Sequence, residues 1–374
     1  MTKPSSASSP RYEVTPLELF FDVVFAFAVS QLSHHLIAHL DWHGALETLT
    51  LLLAVVTVWS YTSWAATMTS AKDPPTQWMV LSVMLLGLFM NASIPAAFTH
   101  AGWAFAIPFL AIQLGRTVWT IVFAPDGLFR EHFVRVLVWL LATSPLWILG
   151  AAADAETRIL WWAPAAVVDL VGTWLAHPIP RRRLRSAKFE FDAEHMLERC
   201  RLFLIIALGE TILTSGIAIA DSPISSMTLI TGTASMVGVV ALWSLTFGRS
   251  NDLVLQHVEG TSDPVHVSRH AVVTVFGMVT GLIAVAVASE KVILHPHEHG
   301  SVGLSLLLSG GPILFLAAQG WFLGKIVGAR RRMHWIGGLV LLAAGSISLL
   351  SPAYVALLLV GAVLATLAIL GRRT

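Results

Sequence analysis

Along this chain, helix-length runs of apolar residues follow one another with short polar interruptions, and this constrains the fold more than any single motif. A run of about 20 such residues crosses a hydrocarbon core of about 30 Å, where every backbone N–H and C=O has to be satisfied internally. Runs of this length meet that requirement as α-helices. The template fits near residues 17–37, 45–67, 77–98, 103–123, 132–152, 158–176, 201–220, 226–248, 269–293, 303–325, 334–350 and 353–370, which predicts an all-α polytopic membrane protein of about twelve transmembrane helices. Composition agrees: 56% of the 374 residues are hydrophobic and 12% charged, whereas a soluble domain carries roughly a quarter charged.

The basic residues give the expected orientation, because Lys and Arg accumulate in short cytoplasmic loops. With the N-terminus inside, Lys3, Arg11, Lys72, Arg130, Arg181, Arg182, Arg183, Arg185, Lys188, Arg249, Arg269, Arg330, Arg331, Arg332, Arg372 and Arg373 fall on the cytoplasmic side, and only Arg158 and Lys291 fall outside. An even number of spans with both termini cytoplasmic in the cell membrane follows. A formal charge of +1, spread over loops, argues against a nucleic-acid partner. The single Cys200 excludes an internal disulfide and a cysteine zinc cluster. Residues 1–16 lack an apolar core segment, so no cleavable signal is expected and the first helix serves as the insertion signal.

Landmarks recur in order. Glu18 begins the first helix and Glu198 precedes the seventh; Trp59-Ser60-Tyr61-Thr62 in the second is echoed by Trp243-Ser244-Leu245-Thr246 in the eighth, and Phe109 to Gln113 in the fourth by Phe315 to Gln319 in the tenth. This predicts a tail at 1–16, a six-helix half at 17–176, a basic cytoplasmic linker at 177–200 and a second half at 201–374, the halves being repeats in parallel orientation.

Intramembrane acids are the candidate functional groups. A carboxylate at the bilayer centre costs roughly 2.5–3.5 kcal/mol on insertion scales, so such residues face protein, water or an ion. Glu18 and Asp22 lie one turn apart on one face of the first helix and repel unless a cation or Arg intervenes. Arg199, Arg201 and Arg116 are the candidate partners. Asp169 is central in the sixth helix, and Glu210, beside Gly209, is central in the seventh. His195 and Glu198 share a face at i and i+3, as metal ligands require, although two ligands do not make a site. His34-His35 ends the first helix as an interfacial pair, and His295-Pro296-His297-Glu298-His299 reads as a solvated external loop with a metal-binding composition.

The stretch Phe20 to Leu32, FFDVVFAFAVSQL, resembles the first helix of a lysosomal and bacterial potassium-channel family, whose hallmark runs Phe-Ser-Asp-Gly-Val-Phe-Ala-Ile. Phe20, Asp22, Val24, Phe25 and Ala26 match, whereas Phe21 replaces the serine and Val23 the glycine. The same helix, together with His195 to Leu213, HMLERCRLFLIIALGETIL, is more similar to the low temperature requirement protein A family of bacterial membrane proteins. His195, Glu198 and Arg199 fit that family's His-x-x-Glu-Arg, and Leu208, Gly209, Glu210 and Thr211 its Leu-Gly-Glu-Ser/Thr; the pairs Asp169-Leu170 and Gly310-Gly311 extend the likeness over most of the chain. After the second helix the family usually carries an Asn and an acidic residue, where this chain has Ala65 to Lys72. The resemblance implies a multi-pass membrane protein without a defined reaction.

No nucleotide-binding, zinc-protease or serine-hydrolase motif is present, so ATP-driven transport by this chain and a bound cofactor are not expected. Three function classes fit. The first is a channel or ion-coupled transporter for a cation, proton or small solute, with Glu18, Asp22, Asp169, His195, Glu198, Arg199 and Glu210 as ion- or proton-linked candidates. The second is an intramembrane enzyme acting on a lipid-like substrate through His195, Glu198 and Glu210, and the third a stress-tolerance factor without a turnover cycle. The bilayer is the one partner the sequence requires, and an oligomer is compatible with it.

Overall fold

A computed structural model describes residues 14–124, 127–179, 191–248, 254, 263–328 and 332–373. The tail and most of the basic clusters used for orientation, from Lys3 and Arg11 through Arg181 to Lys188, Arg249, Arg330 and Arg331, lie outside the described residues. Within them the chain is all-α, with twelve helices: α1 (Pro16–Ala38), α2 (Trp42–Thr69), α3 (Pro74–Ala92), α4 (Gly102–Phe123), α5 (Gly127–Ala152), α6 (Ala155–Trp174), α7 (Ala193–Asp221), α8 (Ser226–Phe247), α9 (Pro264–Leu294), α10 (Val302–Ile326), α11 (Arg332–Ser346) and α12 (Ala353–Arg373). Ten are long and apolar enough to cross a membrane. The exceptions are α11, which is short, and α6, whose Arg158, Asp169 and tryptophans lower its hydropathy.

Helix starts follow local chemistry. Thr15 caps α1 by accepting from the Glu18 N–H, while the Glu18 side chain accepts from the Thr15 N–H, and Pro16 occupies the first turn where no N–H is required. Asp41 caps α2, Asp192 caps α7, and Ser225, Asp263 and Ser301 cap α8, α9 and α10 in the same way.

Packing divides the helices into two groups. In the first, α1 packs on α2 and α3, α2 on α6, and α3 to α6 each on the next; in the second, α7 packs on α8 and α9, α8 on α12, and α9 to α12 each on the next. The groups meet where α1 and α2 lie against α7 and α9. α2 is the most enclosed, with every side chain from Thr50 to Ser63 buried in an unbroken series that ends at half-buried Trp64. Fully buried Trp59, Phe21 and Phe203 fill the space between α1, α2 and α7, while Phe25 reaches Gly87 of α3.

The α9–α10 crossing depends on two glycines. A Cβ on Gly281 would stand 2.6 Å from the Gly311 carbonyl oxygen, and one on Gly311 2.9 Å from the Gly281 oxygen, whereas Gly310 faces open space. Small residues let helices approach closely when lipid supplies no hydrophobic drive. Gly311→Ala is therefore expected to destabilise the protein by about 1–3 kcal/mol through overpacking, and Gly310→Ala to be tolerated. Thermal unfolding of the two variants in detergent measures the difference; equal melting would show that α9 and α10 do not depend on this crossing.

At the end of the bundle opposite the α1 N-terminus, Arg158 donates to the carbonyls of Ala97, Thr99, Gly150 and Ala153 at 2.6–3.1 Å and lies over the Trp162 ring. One guanidinium thus ties the α3–α4 connection to the α5–α6 turn. The His295–His299 segment, expected as a solvated loop, exposes its His and Glu side chains, while its backbone is tied to the α11–α12 connection: Gly300 N–H donates to Ser348, Ala353 N–H to Glu298 and Tyr354 N–H to Pro296.

Candidate functional site

Glu18 and Asp22 share one face of α1, and that face meets α7 at its first two turns. Glu18 is bifunctional. Its Oε2 accepts from the Thr15 N–H at 2.9 Å and hydroxyl at 3.0 Å, while Oε1 lies 2.9 Å from His195 Nε2 and 3.0 Å from Arg199 Nη1. One oxygen thus fixes the helix start and the other joins α1 to α7.

Arg199 reaches the second carboxylate as well. Its Nη2 donates to Asp22 Oδ1 at 2.7 Å and its Nε to Oδ2 at 3.4 Å, a near-bidentate arrangement. Trp59 of α2 donates its indole N–H to the same Asp22 Oδ1 at 2.8 Å and stacks on Phe203. The guanidinium also lies over the Phe21 ring, 5.5 Å from its centroid. Three helices therefore converge on a cluster in which Glu18, Asp22 and Arg199 are each at most 1% exposed. Two carboxylates face one guanidinium, so with both acids ionised and His195 neutral the cluster would carry one excess negative charge.

His195 is presented by the Asp192 cap, whose carboxylate accepts the His195 N–H at 2.9 Å, so both His195 and Glu18 occupy the third position of their helices. These first turns, with the end of α2, surround a cleft of about 680 Å³ lined by Thr15, Glu18, Thr67, Lys72, Asp192 and His195 among others. Charge and hydrogen-bonding capacity are thus connected to an aqueous-sized opening at one end of the bundle.

The other candidates lie elsewhere. Glu198 turns away and pairs with Arg201 at 2.7 Å, so His195 and Glu198 do not converge. Among the described residues, no three His, Cys, Asp or Glu side chains come together as metal ligands. Glu210 is half-buried on α7, about 16 Å beyond Arg199 at 1.5 Å per residue, and its carboxylate has no hydrogen-bond or ion-pair partner among the described residues. It does not join Asp22. Asp169 is held between α5 and α6 by the Thr143 hydroxyl at 2.8 Å and the Trp147 indole at 3.1 Å. Of the candidate cations, Arg199 meets the acids; Arg116 instead donates to Gln113 Oε1 at 2.6 Å and lies over Tyr61.

Two participants escape a reading centred on acids. Thr15 was legible through Thr-Pro-Leu-Glu, the capping-box spacing, and Trp59 through the need of a buried indole N–H for an acceptor. At the other end of the bundle His35 is buried, not merely interfacial: its Nε2 lies 3.1 Å from Glu47, which also takes His43 Nδ1 at 3.2 Å.

A family profile described as bacterial low temperature requirement A protein (LtrA) matches residues 13–369. An uncharacterized protein of Rhizobium meliloti (strain 1021) is 31% identical over 310 residues, covering 81% of this chain and 75% of its own length. The profile embraces α1, α7 and the cluster between them, and the chain belongs to the bacterial low temperature requirement A family.

Proposed function

We propose that this protein is an ion-coupled transporter, moving a cation, proton or small solute, in which the Glu18–Asp22–Arg199–His195 cluster is the coupling site. The observation carrying this reading is the charge count: two buried carboxylates against one guanidinium beside a titratable imidazole and an open cleft. Excess negative charge in such surroundings is balanced by protonation of His195 or by a bound cation. Opening and closing between the helix groups would then change with occupancy, since Arg199 and His195 sit on α7 and both acids on α1. The likeness of Phe20 to Ala26 to a potassium-channel first helix points the same way.

The architecture we propose with it has twelve spans, both termini in the cytoplasm, and two six-helix halves at 17–176 and 201–374 joined by the linker 177–200. The packing pairs support duplication: α1–α3 has its counterpart in α7–α9, α2–α6 in α8–α12, and the α3 to α6 series in α9 to α12. Gln319 donates to the Leu245 carbonyl on α8, much as the Gln113-bound Arg116 reaches the Val58 carbonyl on α2.

Reconstitution into liposomes with proton, sodium and potassium gradients tests the function. His195→Gln retains a hydrogen-bonding group but not its titration, and is expected to lower protein-dependent flux about tenfold or more, the equivalent of about 1.4 kcal/mol. Absence of flux in the wild type for all three ions and for proton-driven solute uptake would overturn the reading.

A further inference from the structure

A second pocket, apolar but for a few buried polar groups, lies where α2, α5, α6 and α9 meet. It is separate from the cluster above, although Met68 borders both openings and places them at the same end of the bundle. After α6 the chain turns sharply through Ala176 and His177, two successive non-glycine residues at φ 57° and 52°. Such conformations cost about 1–3 kcal/mol each and persist where the surroundings enforce them. Their result is to drive the His177 ring, 3% exposed, back among the helices.

The protons there can be counted. Thr173 donates its hydroxyl to the Asp169 carbonyl at 2.9 Å, so it accepts from Tyr61 OH at 2.7 Å. With the Tyr61 proton committed, the 2.5 Å contact between Tyr61 oxygen and His177 Nε2 requires that His177 donate. Burial, reinforced by nearby His132, lowers the His177 pKa to about 3, so the ring is neutral and its Nδ1 is a bare acceptor. That Nδ1 is buried and has no hydrogen-bond partner among the described residues.

Beside it Arg269 of α9 donates Nη1 to the Trp174 carbonyl at 3.0 Å and leaves Nε without a partner among the described residues, with Asp263 near enough to offset part of its charge. The walls, including Trp64 and Phe133, are almost wholly apolar. The cavity, about 50 Å³, exceeds the ~10–15 Å³ that admits one water and accommodates a group of a few heavy atoms. Trp139, Trp174 and Trp321 surround this level, as tryptophans do at a membrane interface.

We propose that this pocket binds an anionic phospholipid whose headgroup carries a free hydroxyl, such as phosphatidylglycerol, with the phosphate at Arg269, the hydroxyl donating to His177 Nδ1 and the apolar walls taking the adjoining carbons. The bare acceptor selects a donor, the guanidinium selects an anion, and the position at the helix ends is where headgroups lie.

Native mass spectrometry of the detergent-purified full chain, in competition between lipids, tests this. The wild type is expected to retain phosphatidylglycerol about fivefold over phosphatidylmethanol, an anion lacking the hydroxyl, as one net hydrogen bond provides. Phosphatidylmethanol should in turn be retained about fivefold over phosphatidylcholine, as one basic residue near the surface provides. Arg269→Gln should lose the preference for anions and keep that for the hydroxyl. His177→Asn, chosen because Asn tolerates a positive φ, should do the reverse. Tyr61→Phe should also weaken hydroxyl selection, since it releases the constraint on the imidazole proton, and it serves if the His177 variant fails to fold. Equal retention of phosphatidylglycerol and phosphatidylmethanol by the wild type, or selectivity unchanged in the variants, would overturn the proposal. So would displacement of the lipid by equimolar free glycerol 1-phosphate, which would mark a soluble ligand.

Discussion

Arg199→Met is expected to destabilise the protein by about 3–5 kcal/mol, because it leaves Glu18 and Asp22 buried with no compensating charge. In detergent this corresponds to an apparent melting temperature lower by roughly 5–10 °C, or to loss of monodisperse protein. Lysine is not a substitute: one ammonium cannot reproduce the paired bonds to Asp22 and the third to Glu18. The informative companion is the triple variant Glu18→Gln, Asp22→Asn, Arg199→Met, in which the charges disappear together. It should recover most of the lost stability, since removing a buried ion set costs far less than orphaning its members. A single variant that melts like the wild type would show that the cluster does not join α1 to α7 energetically.

The second large effect concerns activity and uses the same carboxylates one at a time. Glu18→Gln leaves one guanidinium facing one carboxylate, a balanced pair, and glutamine at this position still completes the Thr15 capping box. Asp22→Asn likewise leaves Arg199 with Glu18 and preserves an oxygen for the Trp59 indole. Folding should therefore survive in both. What each substitution removes is the excess negative charge to which a proton or cation binds. Flux in liposomes should fall about tenfold or more in either variant, with melting nearly unchanged. Retention of wild-type flux in both would remove this cluster from the coupling step, and would leave Glu210, the half-buried acid of α7 without a partner among the described residues, as the next group to substitute.

Much of the architecture is legible in the sequence. Apolar run length sets the number and order of helices, because backbone satisfaction in lipid admits few alternatives, and twelve helices stand close to the expected positions. The difference lies at α6 and α11, which are not among the ten helices long and apolar enough to span on their own. In α6 the lowering residues are themselves packing groups: Arg158 clamps two connections and Asp169 holds α5.

Within the site, sequence by itself determined that Glu18 and Asp22 share a face and cannot face lipid, and that His195 and Arg199 share another at i and i+4. Those are properties of one helix, fixed by 3.6 residues per turn. Which face meets which was decided by tertiary packing alone. The rotation of α7 about its axis brings His195 and Arg199 onto α1, sends Glu198 to Arg201 and leaves Glu210 unmatched; the placement of α4 keeps Arg116 with Gln113. Periodicity specifies position along a helix and the grouping of side chains around it, but the facing partner depends on side-chain volumes summed over several helices. The enclosed Trp59, Phe21 and Phe203 make that choice here, and no local stretch of sequence contains it.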